Sequence, residues 1–133
     1  MTTLKPGLKG HSEMRVGHDD LASVMGNIGA EVLSTHRVVL LMEMAARDAI
    51  AACLPANKMT VGTCIKIRHL AATPLGVKVR AEAYLRDIIG KRLVLDVVAY
   101  DEFEKISEGQ NEQLIVSTDT FRRRTRRKVT PHR

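Results

Sequence analysis

"RVVLLMEMAARDAIAACLP", from Arg37 to Pro55, is the longest apolar stretch of this 133-residue chain and the one that decides its fold. Leu, Met and Ala are good helix formers, and Pro55 is a natural stop. Ser34 or Thr35 in front of the stretch is suited to be the N-cap. Apolar residues follow one face at the helical spacing and widen it almost all round: Val38, Val39, Leu40, Leu41, Met42, Met44, Ala45, Ala46, Ala49, Ile50, Ala52 and Cys53. We therefore predict a helix from about His36 to Leu54 that is buried along much of its length.

The pattern changes to period two after this helix, which is typical of strands. Four strands are predicted: MTVGTCIKIRHLAA (59–72), GVKVRAEAYLRDII (76–89), KRLVLDVVAYDEF (91–103) and KISEGQNEQLIVSTDTF (105–121). Upstream of the helix, GHSEMRVG (10–17) adds a first strand and HDDLASVMG (18–26) a short helix. Gly90-Lys91 predicts a hairpin, 73–76 (Thr-Pro-Leu-Gly) a turn, and Gly109 a bulge.

The order of strand, helix and four sequential strands favours an antiparallel sheet. At 44% hydrophobic and 3% aromatic residues, the chain has to build its core from aliphatic side chains. The economical packing wraps the curled sheet around the one long helix, so we predict an α+β protein of the hotdog arrangement. A small sheet with one helix leaves edges and faces exposed, and a homodimer or a dimer of dimers is therefore expected.

The positive charge of the chain is concentrated at its end. The formal net charge is +6, and much of the excess lies in FRRRTRRK, Phe121 to Lys128. Without this run the remaining residues are close to balanced. We therefore predict a single domain over residues 1–121, followed by a basic tail over residues 122–133.

Cysteine use and the N-terminus indicate a cytoplasmic protein. Cys53 and Cys64 form no CxxC or zinc spacing, and two free thiols in a reducing compartment are favoured over one disulfide. The beginning of the chain, MTTLKPGLKG, has no signal-peptide core, and no apolar run is long enough to span a bilayer. No two histidines are spaced as metal ligands on one element, so no metal is expected.

Glu43 interrupts the apolar helix at "VLLMEMAA". A carboxylate in such surroundings has to be paired, hydrogen-bonded or neutralised, and buried acids acquire the raised pKa that a catalytic base or nucleophile needs. The alternative is a side chain that reaches solvent or pairs with Arg47 one turn later.

Thr35 lies where the helix begins. It is suited to be a cap, and a helix N-terminus with free N–H groups also suits a developing oxyanion. Thr35 and Glu43 are about 12 Å apart along a straight helix. For both to serve one reaction, the chain before the helix folds back, the substrate spans them, or two subunits contribute.

His69 ends its predicted strand among Leu70, Ala71 and Ala72. A histidine in apolar company is either structural or there to transfer a proton. His36, next to Thr35 and two turns from Glu43, is the rival candidate.

The segments LSTHRVVLLMEMAARDAI (33–50) and VGTCIKIRHLAATPLGVKV (61–79) resemble the hotdog thioesterases typified by fluoroacetyl-CoA thioesterase. The shared features are a Thr eight residues before the Glu of an LME-type helix, a Gly-Thr pair, and a strand ending in His-x-Ala-Ala-Thr-Pro-x-Gly. The resemblance covers the chain from about Glu31 to the basic end. It implies that Thr35, Glu43 and His69 act together in the hydrolysis of a small acyl-CoA thioester.

The resemblance leaves the individual roles open. Glu43 either attacks the thioester carbonyl or activates a water, and Thr35 either orients the attacking group or is the nucleophile with His69 as base. His69 also suits protonation of the leaving thiolate. The expected substrate contacts are His36, Gly62, Gln113, Arg122, Arg123 and Arg124. Coenzyme A is then part of the substrate, and no separate cofactor is expected.

Two segments differ from the fluoroacetyl enzyme and leave the acyl group open. HDDLASVMGNIGAEVL (18–33) is short and contains no Phe, and residues 111–113 read Asn-Glu-Gln in place of His-Glu-Arg. The basic tail is either a solvated end or an electrostatic site for coenzyme A phosphates. Nucleic acid is disfavoured as a partner because no aromatic platform beyond Phe121 interleaves the charges. The rival function is a non-catalytic acyl-CoA or small-ligand binding protein on the same fold.

Overall fold

Five antiparallel strands form one sheet in the computed structural model, which describes residues 3–129. Along the chain the strands are β1 (Lys9–Arg15), β2 (Lys58–His69), β3 (Lys78–Ile89), β4 (Arg92–Asp101) and β5 (Lys105–Ser117), and their order in the sheet is β1-β3-β4-β5-β2. Helix α1 (Thr35–Ile50) lies between β1 and β2, and helix α2 (Thr118–Arg126) follows β5; short 3-10 turns cover His18–Asp20 and Ala51–Cys53. The curled sheet with one long helix confirms the hotdog prediction.

Helix α1 begins one residue earlier and ends four residues earlier than predicted. The Ser34 hydroxyl caps it by accepting a hydrogen bond from the Arg37 N–H at 3.3 Å, so Ser34 is the N-cap and Thr35 is the first helical residue. The face turned to the sheet is buried: Val38, Leu41, Met42, Ala45, Ala46, Ala49 and Ile50. Leu40 and Met44 on the other side are 42% and 44% exposed, so the helix is less buried than predicted.

The core lies between this helix face and the inward side of the sheet. Alternate residues of the two central strands are buried, as the period-two pattern predicts: Val79, Ala81, Ala83 and Leu85 in β3, and Leu93, Leu95, Val97 and Ala99 in β4. Burial of each larger aliphatic side chain contributes about 1.5–3 kcal/mol. Strand β1 approaches the helix closely at Gly10, where a Cβ atom would collide with the backbone of Ala45 and Ala49.

Strand β2 does not lie beside β3, although only eight residues separate them in the chain. It pairs with β5 instead, from Lys58 opposite Ser117 to His69 opposite Ser107. The meander therefore comprises only β3, β4 and β5, and the segment 70–77 connects opposite sides of the sheet. Because β2 is an edge strand, one side of its backbone has no partner strand within the described chain.

The turn predictions were correct at the β3–β4 hairpin and wrong at the bulge. Gly90 has a φ of +61° in the hairpin, a conformation that favours glycine. Gly109 instead pairs in register with both of its neighbouring strands. The irregularity between β2 and β5 lies between Gly62 and Cys64.

Helix α2 runs across the boundary that the sequence indicates between residues 121 and 122. Ser117 caps it, accepting a hydrogen bond from the Thr120 N–H at 3.4 Å. The residues from 121 to 129 are exposed, and residues 130–133 of the basic tail lie outside the described residues. Over residues 3–129, no helix has both the length and the apolar character that a membrane crossing requires.

Candidate active site

The first residue of α1 and the last residue of β2 meet at one end of the molecule. The Thr35 Oγ1 atom lies 2.9 Å from the His69 Nδ1 atom, a hydrogen bond between groups 34 residues apart in the chain. The sequence builds this contact with two adjacent hydroxyl residues. Because Ser34 caps the helix, the hydroxyl of Thr35 is available for the histidine.

Residues 70–77 hold the end of β2 in place. The buried Thr73 donates its hydroxyl hydrogen bond to the Asp101 carboxylate at 2.9 Å, and its carbonyl accepts from the Leu33 N–H at 2.8 Å. Pro74 pairs with Val32 in an isolated bridge. The Ala-Ala-Thr-Pro segment thus ties the histidine end of β2 to the chain just before α1, which fixes the Thr35–His69 contact.

Burial lowers the pKa of His69 from its ordinary value of 6.5, because it disfavours the charged imidazolium; the backbone of Ala71 opposes this by a smaller amount. The ring is therefore mostly neutral at pH 7. Its Nε2 atom is buried and has no hydrogen-bond partner among the described residues. A neutral imidazole bonded to a hydroxyl is suited to accept a proton from it.

A cavity of about 340 Å³ opens beside this pair, and we call it the Thr35–His69 cavity. Its walls are mostly small or aliphatic: Ala22, Asn27, Ala30, Val32, Leu33, Leu70, Ala71 and Ala72. Within the described chain, the N–H groups of Thr35 and His36 have no hydrogen-bond acceptor, while those of Arg37 and Val38 bond to Ser34. Two free amides at a positive helix end therefore lie near the reactive hydroxyl.

Glu43 lies elsewhere, against the first half of β2. Its carboxylate oxygens are 3.5 and 3.6 Å from the position that a Cβ atom on Gly62 would take, and Arg47 is its ion-pair partner at 3.6 Å. The carboxylate side chain is 28% exposed. The expectation of a buried acid was therefore wrong, and the alternative of a pair with Arg47 is confirmed.

The carboxylate and the Thr35–His69 pair do not meet within one protomer. Thr35 and Glu43 are about 12 Å apart along α1 at 1.5 Å per residue. Gly62 and His69, the β2 residues that they face, are about 23 Å apart along an extended strand. Folding back of the chain before the helix, one of the three options open from the sequence, does not occur, because Thr35 is already the first helical residue.

A buried amide pair lies beneath Glu43 and was not singled out from the sequence as a unit. Gln113 donates from Nε2 to Asn111 Oδ1 at 2.5 Å, and Asn111 donates to the Cys64 carbonyl at 3.0 Å. Both side chains are fully buried, and the Gln113 Oε1 atom has no partner among the described residues. The available signal was their spacing, because residues two apart on β5 face the same side of the sheet.

The remaining predicted substrate contacts are spread over the surface. His36 is exposed beside Thr35, Gln113 is buried near Gly62, and Arg122, Arg123 and Arg124 are exposed on α2. The Arg123 guanidinium bonds to the Thr120 hydroxyl at 3.4 Å. Among the described residues, no group of three His, Cys, Asp or Glu side chains is placed to hold a metal ion.

A curled antiparallel sheet around one long helix is the hotdog fold, and solved structures similar to this chain are hotdog-fold thioesterases. A Thermus thermophilus member of the thioesterase superfamily shares this fold, with a TM-score of 0.88 and 28% identity over 96% of this chain and 94% of that one. A crystallised variant of a fluoroacetyl-CoA thioesterase in complex with acetyl-CoA has a TM-score of 0.88 and 29% identity over 96% of this chain and all of that chain.

Within this class, the family model described as fluoroacetyl-CoA-specific thioesterase matches residues 16–119. A fluoroacetyl-CoA thioesterase of Streptantibioticus cattleyicolor is 37% identical over 99 residues, which are 74% of this chain and 71% of that protein. The chain belongs to the fluoroacetyl-CoA-specific thioesterase family. It is a thioester hydrolase, and acyl-CoA thioester hydrolysis is its activity class.

Proposed function

We propose that the protein hydrolyses acyl-CoA thioesters with a small acyl group, using Thr35 and His69 of one protomer and Glu43 of its partner. The observation that carries the proposal is the 2.9 Å hydrogen bond between Thr35 and His69 beside a cavity of about 340 Å³. The alanines that line this cavity, together with Leu33 and Leu70, provide a small apolar surface suited to a short acyl chain.

The chemistry follows from the protonation state of His69. The neutral imidazole accepts the Thr35 proton as the hydroxyl oxygen attacks the thioester carbonyl, and the oxyanion is received by the free amides of Thr35 and His36. The C–S bond then breaks, and the imidazolium returns the proton to the departing thiolate. In a second step a water molecule attacks the acyl–Thr35 ester, which releases the acid and restores the Thr35 hydroxyl.

Glu43 is proposed to reach this site from a second subunit. The unpaired edge of β2 supports this, because an edge strand offers a row of free backbone groups for pairing with another chain. A two-fold axis crossing β2 at Lys66 sets Thr63, the neighbour of Gly62, opposite the partner's His69. Glu43, which faces Gly62, then lies beside the partner's reactive pair, where its carboxylate is suited to activate the hydrolytic water.

The exposed residues of α1 also support a homodimer. Leu40 and Met44 are apolar, adjacent at the i,i+4 spacing and more than 40% exposed. Both line a depression beside Glu13, Met14 and Arg15 of β1, so this surface is suited to a contact between copies that is separate from the β2 edge. A dimer of dimers is the further possibility that the sequence left open. The thiols of Cys53 and Cys64 are free, which supports a reducing, cytoplasmic location.

The substrate is tested by measuring thiol release from a panel of straight-chain, branched and aromatic acyl-CoAs. We expect the highest kcat/KM for two- or three-carbon acyl groups and a steep fall for larger ones. An aromatic acyl-CoA as the preferred substrate would contradict the small cavity. Tight binding of acyl-CoA with no thiol released from any of them would show a binding protein instead of an enzyme.

The shared site is tested by mixing subunits. His69→Ala and Glu43→Gln protomers are each inactive as homodimers, but a mixed dimer has one site with both residues intact. Random mixing should restore about a quarter of the wild-type activity, because half of the dimers are mixed and each has one working site. The control is a mixture of His69→Ala with the His69→Ala/Glu43→Gln double variant, which should stay inactive. No recovery in the first mixture would place all three residues in one protomer.

A further inference from the structure

A second, basic cavity of about 320 Å³ lies at the opposite end of β2 from His69. It is formed where β2 begins, where the β3–β4 hairpin turns and where β5 passes into α2. Three cationic side chains line it, Lys58, Lys91 and Arg124, together with the apolar Leu114, Val116 and Phe121. We call it the basic pocket.

The walls of the basic pocket are fixed by the sheet. Lys58 pairs with Ser117 in the β2–β5 register, and the Ile115 N–H bonds to the Lys91 carbonyl at 2.9 Å. The Thr118 N–H, at the start of α2, bonds to the Asn57 carbonyl at 3.1 Å. Three segments that are distant in the chain are therefore joined by backbone hydrogen bonds, and the cationic side chains converge from fixed positions.

The charges of the basic pocket are not neutralised by the protein. Lys58, Lys91 and Arg124 have no ion pair with any described residue, whereas the adjacent Arg92 pairs with Glu112 at 3.3 Å. Three unpaired cations around one cavity are suited to an anion with several charges, and Lys and Arg are the side chains that bind phosphate. Phe121, which is 37% exposed and lines the pocket, is an aromatic side chain of the kind on which a planar base stacks.

The distance between the basic pocket and the Glu43 end of the proposed site fits the length of coenzyme A. Gly62, which faces Glu43, lies four residues after Lys58, about 13 Å along an extended strand. The extended pantetheine arm of coenzyme A spans such a distance between its thiol and its phosphates. We infer that the basic pocket binds the phosphorylated adenosine end of acyl-CoA, with the adenine on Phe121 and the phosphates between Lys58, Lys91 and Arg124; this inference rests on the proposed function.

The three arginines that were expected to bind substrate differ in their position relative to the basic pocket. Arg124 lines the pocket, while Arg122 and Arg123 do not. Lys58 and Lys91 also line the pocket. They lie far from the basic tail in the sequence, and no sequence motif marks them as substrate-binding residues. Residues 121 and 124 are one turn apart on α2, which explains why only one part of the arginine run faces the pocket.

The test compares acetyl-CoA with acetyl-pantetheine, which lacks the nucleotide, at low salt. In the Lys91→Ala/Arg124→Ala variant, the preference in kcat/KM for acetyl-CoA over acetyl-pantetheine should fall at least tenfold, through KM for acetyl-CoA. Acetyl-dephospho-CoA separates the 3′-phosphate from the diphosphate. Arg127→Ala is the matched control, because Arg127 is exposed at the end of the same helix and outside the pocket. An unchanged preference in the double variant would overturn the inference.

A second measurement is independent of catalysis. Calorimetry with adenosine 3′,5′-bisphosphate should show binding to the wild-type protein and to Arg127→Ala, and at least tenfold weaker binding to the double variant. This result would support the pocket even if no thioester were hydrolysed. Equal affinities in all three proteins, or binding to none of them, would overturn the inference even if thioester hydrolysis were confirmed.

Discussion

The two ends of the contact between α1 and β2 are built differently. At one end Thr35 and His69 share a hydrogen bond of 2.9 Å, and no residue of the described range 3–129 bonds to the buried histidine Nε2 atom. At the other end Glu43 is 28% exposed and paired only with Arg47 of its own helix, at 3.6 Å. A cavity lined by small side chains opens at the first end, and a buried amide pair lies beneath the second.

Under the proposed function, this difference divides the parts of one reaction between the two ends. The first end is organised for proton transfer, because a hydroxyl, a neutral imidazole and two free amides lie together. The second end supplies the Glu43 carboxylate, which lies away from the Thr35 hydroxyl and the His69 ring of its own protomer. The two ends complement each other only if a second subunit brings them together, and the predictions below test that relationship from the largest effect to the smallest.

Loss of the Thr35–His69 pair should have the largest effect. His69→Ala and Thr35→Val should each lower kcat by about 10³-fold, because each removes one partner of the proton transfer. Thr35→Ser keeps the hydroxyl and should retain most of the turnover. The measurement is thiol release from a good acyl-CoA substrate. Wild-type kcat in Thr35→Val would show that the hydroxyl is structural.

Loss of the Glu43 carboxylate should have the next largest effect. Glu43→Gln keeps the size of the side chain, and turnover should fall about 10²-fold if the partner's site needs the base. The exposed pair with Arg47 contributes only about 0.3–0.5 kcal/mol, so the thermal midpoint should hardly move. The His69→Ala/Glu43→Gln double variant should lose little more than His69→Ala alone. Full turnover in Glu43→Gln, with or without a change in midpoint, would remove Glu43 from the mechanism.

The first end was predictable from the sequence because its signals are local. The apolar periodicity predicts α1, and the alternation predicts the four later strands, although β2 ends at His69 instead of residue 72 and residues 118–121 belong to α2 instead of the last strand. The Thr35–His69 contact itself was inferred only from resemblance. No periodicity reports a hydrogen bond between residues 34 positions apart.

The second end was harder to predict because its signals are non-local. Alternation says which residues share a face but not which strands are neighbours, so β2 was placed in a continuous meander and not at the edge beside β5. The burial of Glu43 is overestimated from the sequence because the apolar residues around it do not report that its carboxylate lies at the surface beside Gly62 and Arg47. Gly109 suggests a bulge from sequence, but in the structure it allows a close approach of β5 to β2, where a Cβ atom would collide with Lys66 and Ile67.

The smallest effect concerns pH and distinguishes the environment of His69 from that of an exposed histidine. Burial lowers its pKa below 6.5 in the folded protein, so the neutral ring persists to lower pH than it does in the unfolded chain. Between the lowered value and 6.5 the unfolded chain binds more protons, and stability should therefore rise with pH across that window and be lost as the pH falls through it. His69→Gln, which cannot titrate, should flatten this part of the stability curve.

The titration of His69 should also appear in the pH dependence of kcat/KM. If His69 acts as the base in its neutral form, the acidic limb of kcat/KM should have its midpoint below 6.5, at the pH where the free protein loses the neutral ring. Thr35→Ser keeps the hydroxyl beside the ring and should leave the midpoint almost unchanged, although kcat changes. Profiles of kcat/KM for the wild type and Thr35→Ser, with thermal midpoints over the same pH range, provide the measurement. A profile in which kcat/KM instead falls as the pH rises through the titration of the ring would mean that the ring works in its protonated form, as an acid toward the leaving thiolate, and that the base belongs to the Glu43 end of the contact.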